Sequence, residues 1–170
     1  MAYSRASVTA KVGAPADKVW EHIGSFANLK AIMQGAISDC SLDKTGTIRK
    51  LKVKGAKGTV VERLVKYDSL TRTQIYSIVD TPNNIVPFVN YTATIKVAPA
   101  TSRSCTITWS SRFEPKKGQT AAGCRDFAQM IYDTGIGGVK KKVAPKKKAP
   151  AKPKAKAKPK AKAKPRAKKK

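Results

Sequence analysis

The chain of 170 residues sets only 10 acidic residues against 36 lysines and arginines, and it holds one histidine and three cysteines. Each scarcity closes off a class of chemistry. His22 stands alone, and Cys40, Cys105 and Cys124 lack the close pairing that zinc sites use, so no metal is expected. His22 reads as a surface or helix-packing residue, and the cysteines as free, core-filling thiols of a reducing cytoplasm. No apolar run is long enough to cross a bilayer, and Met1 to Val12 alternates polar with apolar residues instead of forming the core of a signal peptide. Phosphate loops, dinucleotide fingerprints and nucleophile elbows are missing too. No cofactor is therefore expected, and catalysis has no positive motif.

What is present is unevenly distributed. Of the 36 basic residues, 17 lie in the last 31 positions, Lys140 to Lys170, where no acid occurs. The first 139 residues hold the other 19 basic residues and all 10 acids, so a domain of charge +9 precedes a tail of +17. Residues 1–139 suffice for one hydrophobic core and are few for two. Residues 140–170 are Lys, Ala and Pro with a single Val143 and Arg166, too little apolar surface to offset chain entropy, and are expected to be disordered.

Ala6, Val8, Ala10 and Val12 alternate with polar residues, the period of a strand with one buried face. Pro15 then opens a helix whose apolar face is Ala16, Val19, Trp20 and Ile23, and Phe26 to Met33 supports a second short helical segment. Ile37 to Leu42 begins a series of extended segments at 47–53, 59–67, 72–79, 90–97 and 104–113, separated by short turn sequences. Such short connections imply hairpins and an antiparallel sheet. After Pro115 the apolar spacing changes to three and four, at Phe127, Met130, Ile131 and Thr134, which predicts a long helix that Gly135, Gly137 and Gly138 loosen and end. The order predicts an α+β fold: a curved antiparallel sheet of about seven strands wrapped around a long C-terminal helix, with two short helices after the first strand.

Several of these pieces, taken in order, resemble the START-like, or polyketide cyclase/dehydrase-like, helix-grip (SRPBCC) proteins, which include plant abscisic-acid receptors and birch-pollen-type allergens. The pieces are Pro15-Ala16-Asp17-Lys18-Val19-Trp20, Phe26-Ala27-Asn28-Leu29, Gly46-Thr47-Ile48-Arg49, Glu62-Arg63-Leu64 with Asp68, Asn90-Tyr91, and Thr108-Trp109 leading to Phe113-Glu114-Pro115. The resemblance covers about residues 3–139. It implies a hydrophobic cavity and places Leu51, Val53, Glu62, Tyr76, Ile78, Tyr91, Trp109, Phe127 and Ile131 on its wall. Alternation independently turns Tyr91 and Trp109 inward, whereas Val60-Val61 and Leu64-Val65 leave the facing of Glu62 undecided. Ser38 stands where the hormone receptors carry a carboxylate-binding lysine, and Lys54-Gly55-Ala56-Lys57-Gly58 replaces their gate loop, which argues against that kind of hormone recognition. Ile32-Met33-Gln34 stands where many bacterial relatives carry a tryptophan and a proline.

Arg49 shares parity with Leu51 and Val53, so Arg49 and Glu62 are the two charges expected inside. A buried carboxylate needs a partner, and the two are expected to pair. The pair serves the core alone, or binds a polar ligand group, or, as the weakest reading, makes Glu62 a general acid/base. Tyr76, Tyr91 and Trp109 likewise serve as pocket aromatics or as core.

The tail repeats Ala-Lys-Pro-Lys-Ala-Lys units and resembles the tails of linker histones in composition. Its prolines and mutual repulsion keep Lys146, Lys147, Lys148, Lys152, Lys154, Lys156, Lys158, Lys160, Lys162, Lys164, Arg166, Lys168, Lys169 and Lys170 available to phosphates. With no aromatic to stack on bases, little sequence preference is expected. Nucleic acid is the expected partner, ahead of anionic membrane, for which no apolar anchor exists. Three functions follow: a non-enzymatic binder of a small apolar or amphipathic ligand, cytoplasmic and nucleoid-associated through its tail; a nucleic-acid-associated protein whose domain is scaffold only; or a polyketide cyclase/dehydratase-like enzyme.

Overall fold

The alternation of the first strand forecasts where its side chains go. In a computed structural model, which describes residues 3–82 and 85–145, β1 (Ser4–Val12) buries Ala6 and Val12 and exposes Arg5, Ser7, Thr9 and Lys11. The helix α1 (Ala16–Ile23) buries Ala16, Val19, Trp20 and Ile23, the stripe its spacing predicts. A 3-10 turn (Phe26–Asn28) leads into α2 (Leu29–Ile32). Six strands follow: β2 (Ile37–Leu42), β3 (Ile48–Val53), β4 (Val60–Asp68), β5 (Thr73–Asp80), β6 (Phe88–Thr101) and β7 (Ser104–Pro115). They form one antiparallel sheet with β1 in the order β1-β7-β6-β5-β4-β3-β2, closed over by the helix α3 (Ala121–Val143). The expected helix-grip architecture is the one observed.

The β4–β5 ladder breaks twice, once on each strand. Val79 is an extra residue between the pairs Val61↔Asp80 and Glu62↔Ile78, and Val65 is an extra residue between Leu64↔Tyr76 and Lys66↔Ile75. Both bulged valines turn out to solvent, and Glu62 turns inward at 5% exposure.

The long helix departs from expectation in two ways. It does not end at its glycines but continues four residues beyond Val139, burying Val143, with Lys140, Lys141 and Lys142 in its last turn, where the helix dipole favours cations. Its core stripe is Cys124, Ala128, Tyr132, Gly135, Ile136 and Val139, while Met130 is 56% exposed. The glycines are there for close approach. A Cβ on Gly135 would lie 2.6 Å from Trp109 Cζ3, and one on Gly138 would lie 1.8 Å from the carbonyl oxygen of Ile32. Gln34, held at φ +50°, ties the same seam by donating from Nε2 to Thr134 O (2.8 Å) and accepting from Lys141 Nζ at Oε1.

Gly138→Ala forces backbone against backbone and is expected to cost about 3 kcal/mol, roughly 10 °C in Tm. Gly137→Ala meets only the movable amide end of Gln34 (3.1 Å) and removes a helix-interior glycine, so it is expected to be neutral or to stabilise by up to about 1 kcal/mol. Thermal unfolding of the two variants measures the contrast.

Candidate functional site

Between the concave side of the sheet and the helices lies a cavity of about 240 Å3. Inward positions of successive strands make its wall: Leu51 and Val53 from β3, Glu62 from β4, Tyr76 and Ile78 from β5, Tyr91 from β6 and Trp109 from β7. Phe127 and Ile131 cover it from the flank of α3, beside the helix's core stripe. All nine residues that the resemblance put on a cavity wall line this cavity.

Two expected site residues do not reach it. Ser38 is exposed and donates from Oγ to Lys52 O (3.1 Å), because the β2 ladder is irregular between Ile37 and Asp39 and Ile37 takes the inward position. Arg49 is 2% exposed but lies behind the wall. Its guanidinium is consumed there, sandwiched 4.1 Å from the Phe26 ring centre and 5.2 Å from that of Tyr76, with Nη1 donating to Phe26 O (2.7 Å). The tail residues expected to bind nucleic acid, Lys146 to Lys170, lie outside the described residues.

Other lining residues were not foreseen. Leu29, Met33, Ala36 and Ile37 come from α2 and the link to β2, and Ile85, Val86 and Phe88 from the approach to β6. These stretches are aperiodic, so their apolar residues carried no signal of facing. Met130, read as part of the helix's apolar face, meets the cavity at its rim.

Glu62 is the one charged side chain among the lining residues. Arg49 Nε donates to its Oε2 at 2.7 Å, and Nη2 comes within 2.5 Å of the same oxygen off the hydrogen-bonding direction. Both approaches converge on Oε2. Among the described residues no hydrogen bond reaches Oε1, so this oxygen keeps its acceptor capacity. Beside the carboxylate, Trp109 Nε1 donates to Tyr76 OH (3.1 Å), and Tyr132 OH donates to Ser111 Oγ (2.5 Å) while lying 2.8 Å from Tyr91 OH. Burial pushes the phenols of Tyr76, Tyr91 and Tyr132 above their ordinary range, so all three stay neutral at physiological pH. Trp109 stacks on Tyr132 with ring centres 5.0 Å apart.

Burial also pushes the Cys105 and Cys124 thiols up, as befits core residues. Among the described residues, no three His, Cys, Asp or Glu side chains gather as a metal site, and no helix is long and apolar enough to cross a membrane.

Removing the cation from the pair while leaving its anion buried is expected to be severe. Arg49→Met should lose about 3–5 kcal/mol in denaturant unfolding, and adding Glu62→Leu should recover much of the loss.

The fold recurs in solved structures. The protein XoxI of Bacillus cereus is 24% identical with a TM-score of 0.75, covering 82% of this chain and 95% of that one. A START superfamily protein from Mycobacterium smegmatis is 14% identical with a TM-score of 0.67, covering 82% and 97%. Norcoclaurine synthase of Thalictrum flavum, in complex with dopamine and hydroxybenzaldehyde, is 18% identical with a TM-score of 0.62, covering 84% and 87%. None of the curated proteins compared matches the chain. The family model described as polyketide cyclase / dehydrase and lipid transport matches residues 4–144. With that match running from β1 through the end of α3, the chain belongs to the polyketide cyclase/dehydrase and lipid transport family.

Proposed function

We propose that the domain binds one small, mostly apolar molecule bearing a hydroxyl or N–H donor, without transforming it, and that the basic residues from Lys146 onward attach the complex to nucleic acid. The observation that carries this reading is Glu62: a carboxylate with one oxygen held by Arg49 and one unclaimed, set in a wall that is otherwise apolar and aromatic. Such a wall supplies affinity by burial, and a lone acceptor supplies orientation. The cavity, at about 240 Å3, exceeds the roughly 150 Å3 that accommodates benzene and falls below the roughly 300 Å3 at which drug-sized pockets begin. A one- or two-ring guest fits that range. The Thalictrum synthase, which shares the fold, holds dopamine and hydroxybenzaldehyde, both rings that carry hydroxyls.

Binding is favoured over turnover because, among the described residues, no second carboxylate, histidine or lysine stands on the wall to share acid/base work with Glu62. The other ionisable groups on the wall are phenols that burial holds neutral. A cyclase/dehydratase-like reaction remains the alternative within the family, with Glu62 as its base.

Native mass spectrometry of the full chain is expected to show a small-molecule adduct. Glu62→Gln should weaken a hydroxylated guest by about 1.5–3 kcal/mol, roughly tenfold to 150-fold in Kd. If Glu62→Gln instead left binding intact and abolished conversion of the guest, the enzyme reading would replace this one.

For the tail, neutralising about 6 to 10 phosphates implies DNA affinity that falls three to five decades between 50 and 200 mM salt. Ending the chain after Pro145 should remove most of that dependence in gel shifts. Affinity unchanged by the truncation contradicts the assignment.

A further inference from the structure

The face of the sheet turned away from the cavity carries a pattern of its own. Strand pairing sets Arg5 directly opposite Arg112, Arg112 opposite Thr92, Thr92 opposite Ser77, and Ser77 opposite Arg63. Their neighbours along the strands, Ala6, Ser111, Ala93 and Tyr76, are buried, so this lateral row projects outward. Three arginines thus line up across five strands, a span of about 19 Å at the usual spacing of ~4.8 Å. Like charges directly opposite on adjacent strands destabilise a sheet. No carboxylate offsets them: among the described residues Arg5, Arg63 and Arg112 form no ion pair. Glu114, two positions from Arg112 on the same face, instead accepts from Asn90 Nδ2 (3.1 Å).

Between Arg5 and Arg112 the face sinks into a depression of about 360 Å3 lined by Ser7, Ser110, Thr92 and Thr94. Two unpaired guanidinium groups over a bed of hydroxyl-bearing residues is the chemistry of phosphate recognition, since guanidinium forks match phosphate oxygens and hydroxyls add neutral donors. The last described residues, Ala144 and Pro145, lie beside Lys11, Val12 and Gly13, at the far end of the strand that bears Arg5.

We propose that this outer face is a second, sequence-independent surface for the phosphate backbone of duplex nucleic acid, with Arg5 and Arg112 holding one phosphate over the depression and Arg63 another. A duplex presents about one charge per 1.7 Å of axis, so the row faces roughly eleven. No aromatic stands within the row to stack on unpaired bases, and Tyr3 at its margin has its ring against Arg112 (5.2 Å), which favours a duplex over a single strand. The surface shares its partner with the tail and rests on different residues.

The test uses the full chain and a short duplex of mixed sequence. The triple variant R5Q/R63Q/R112Q is expected to bind at least tenfold more weakly than wild type, with a log–log salt slope shallower by roughly 2. R5K/R63K/R112K should restore the slope. A slope unchanged by the Gln substitutions overturns the proposal and leaves the tail as the binding segment; loss of all salt dependence keeps the proposal and removes the tail's part. Amide resonances of wild type supply a readout that needs no variant. Ser7, Thr92 and Ser110 should shift on adding duplex. Shifts confined to residues after Pro145, or shifts of the three caused by phosphatidylserine vesicles and not by duplex, overturn it.

Discussion

The seating of α3 on Trp109 and on the carbonyl of Ile32 is the contact on which the rest of the structure depends. Gly135 and Gly138 allow the helix axis to come as close as backbone and ring permit. At that distance Tyr132 stacks flat on Trp109 and its hydroxyl lies between Tyr91 and Ser111. Lifting the helix by even a methyl group would part the rings, leave buried hydroxyls without partners and widen the cavity beneath Phe127 and Ile131. The size of the cavity is therefore set by two residues that have no side chain.

Strands and faces were legible in the sequence wherever period-two alternation persisted. Tyr91 and Trp109 could be turned inward on that ground alone. On β4 it failed, because Val60-Val61 and Leu64-Val65 set apolar residues on both faces, and the bulge at Val65 leaves no mark in the sequence. The helix misled for a different reason. Its core face opens on the small Cys124 and Ala128 and continues through Tyr132 to Ile136 and Val139 among the glycines, while the larger Phe127, Met130 and Ile131 sit on the cavity side. Glycines that look like breakers proved to be contact points, a distinction that depends on what faces them across space. The Arg49–Glu62 pair was expected from parity and resemblance together; that Arg49 would stand behind the wall depended on Phe26, a residue 23 positions away.

Charge in this molecule is sorted by location. Inside, one anion is matched by one cation at 2.7 Å. Asp17 and Glu21 lie on α1 and Asp126 and Asp133 on α3, so a good share of the domain's acids sits on the helical side. The outer sheet face carries Arg5, Arg63 and Arg112 among hydroxyls, with Glu114 beside Arg112. Under the proposals above, small-molecule binding and attachment to polyanions would proceed on separate surfaces.

On the proposed function, the inner pair would also bear on which molecules enter. Arg49 and Glu62 together are electrically neutral, so the cavity offers a dipole and no surplus charge. A carboxylate compound would surrender its hydration shell without gaining a counter-ion, because Arg49 lies behind the wall, a penalty of several kcal/mol. An uncharged alcohol or phenol surrenders far less. Selection among metabolites would then turn on ionisation state before shape is consulted at all.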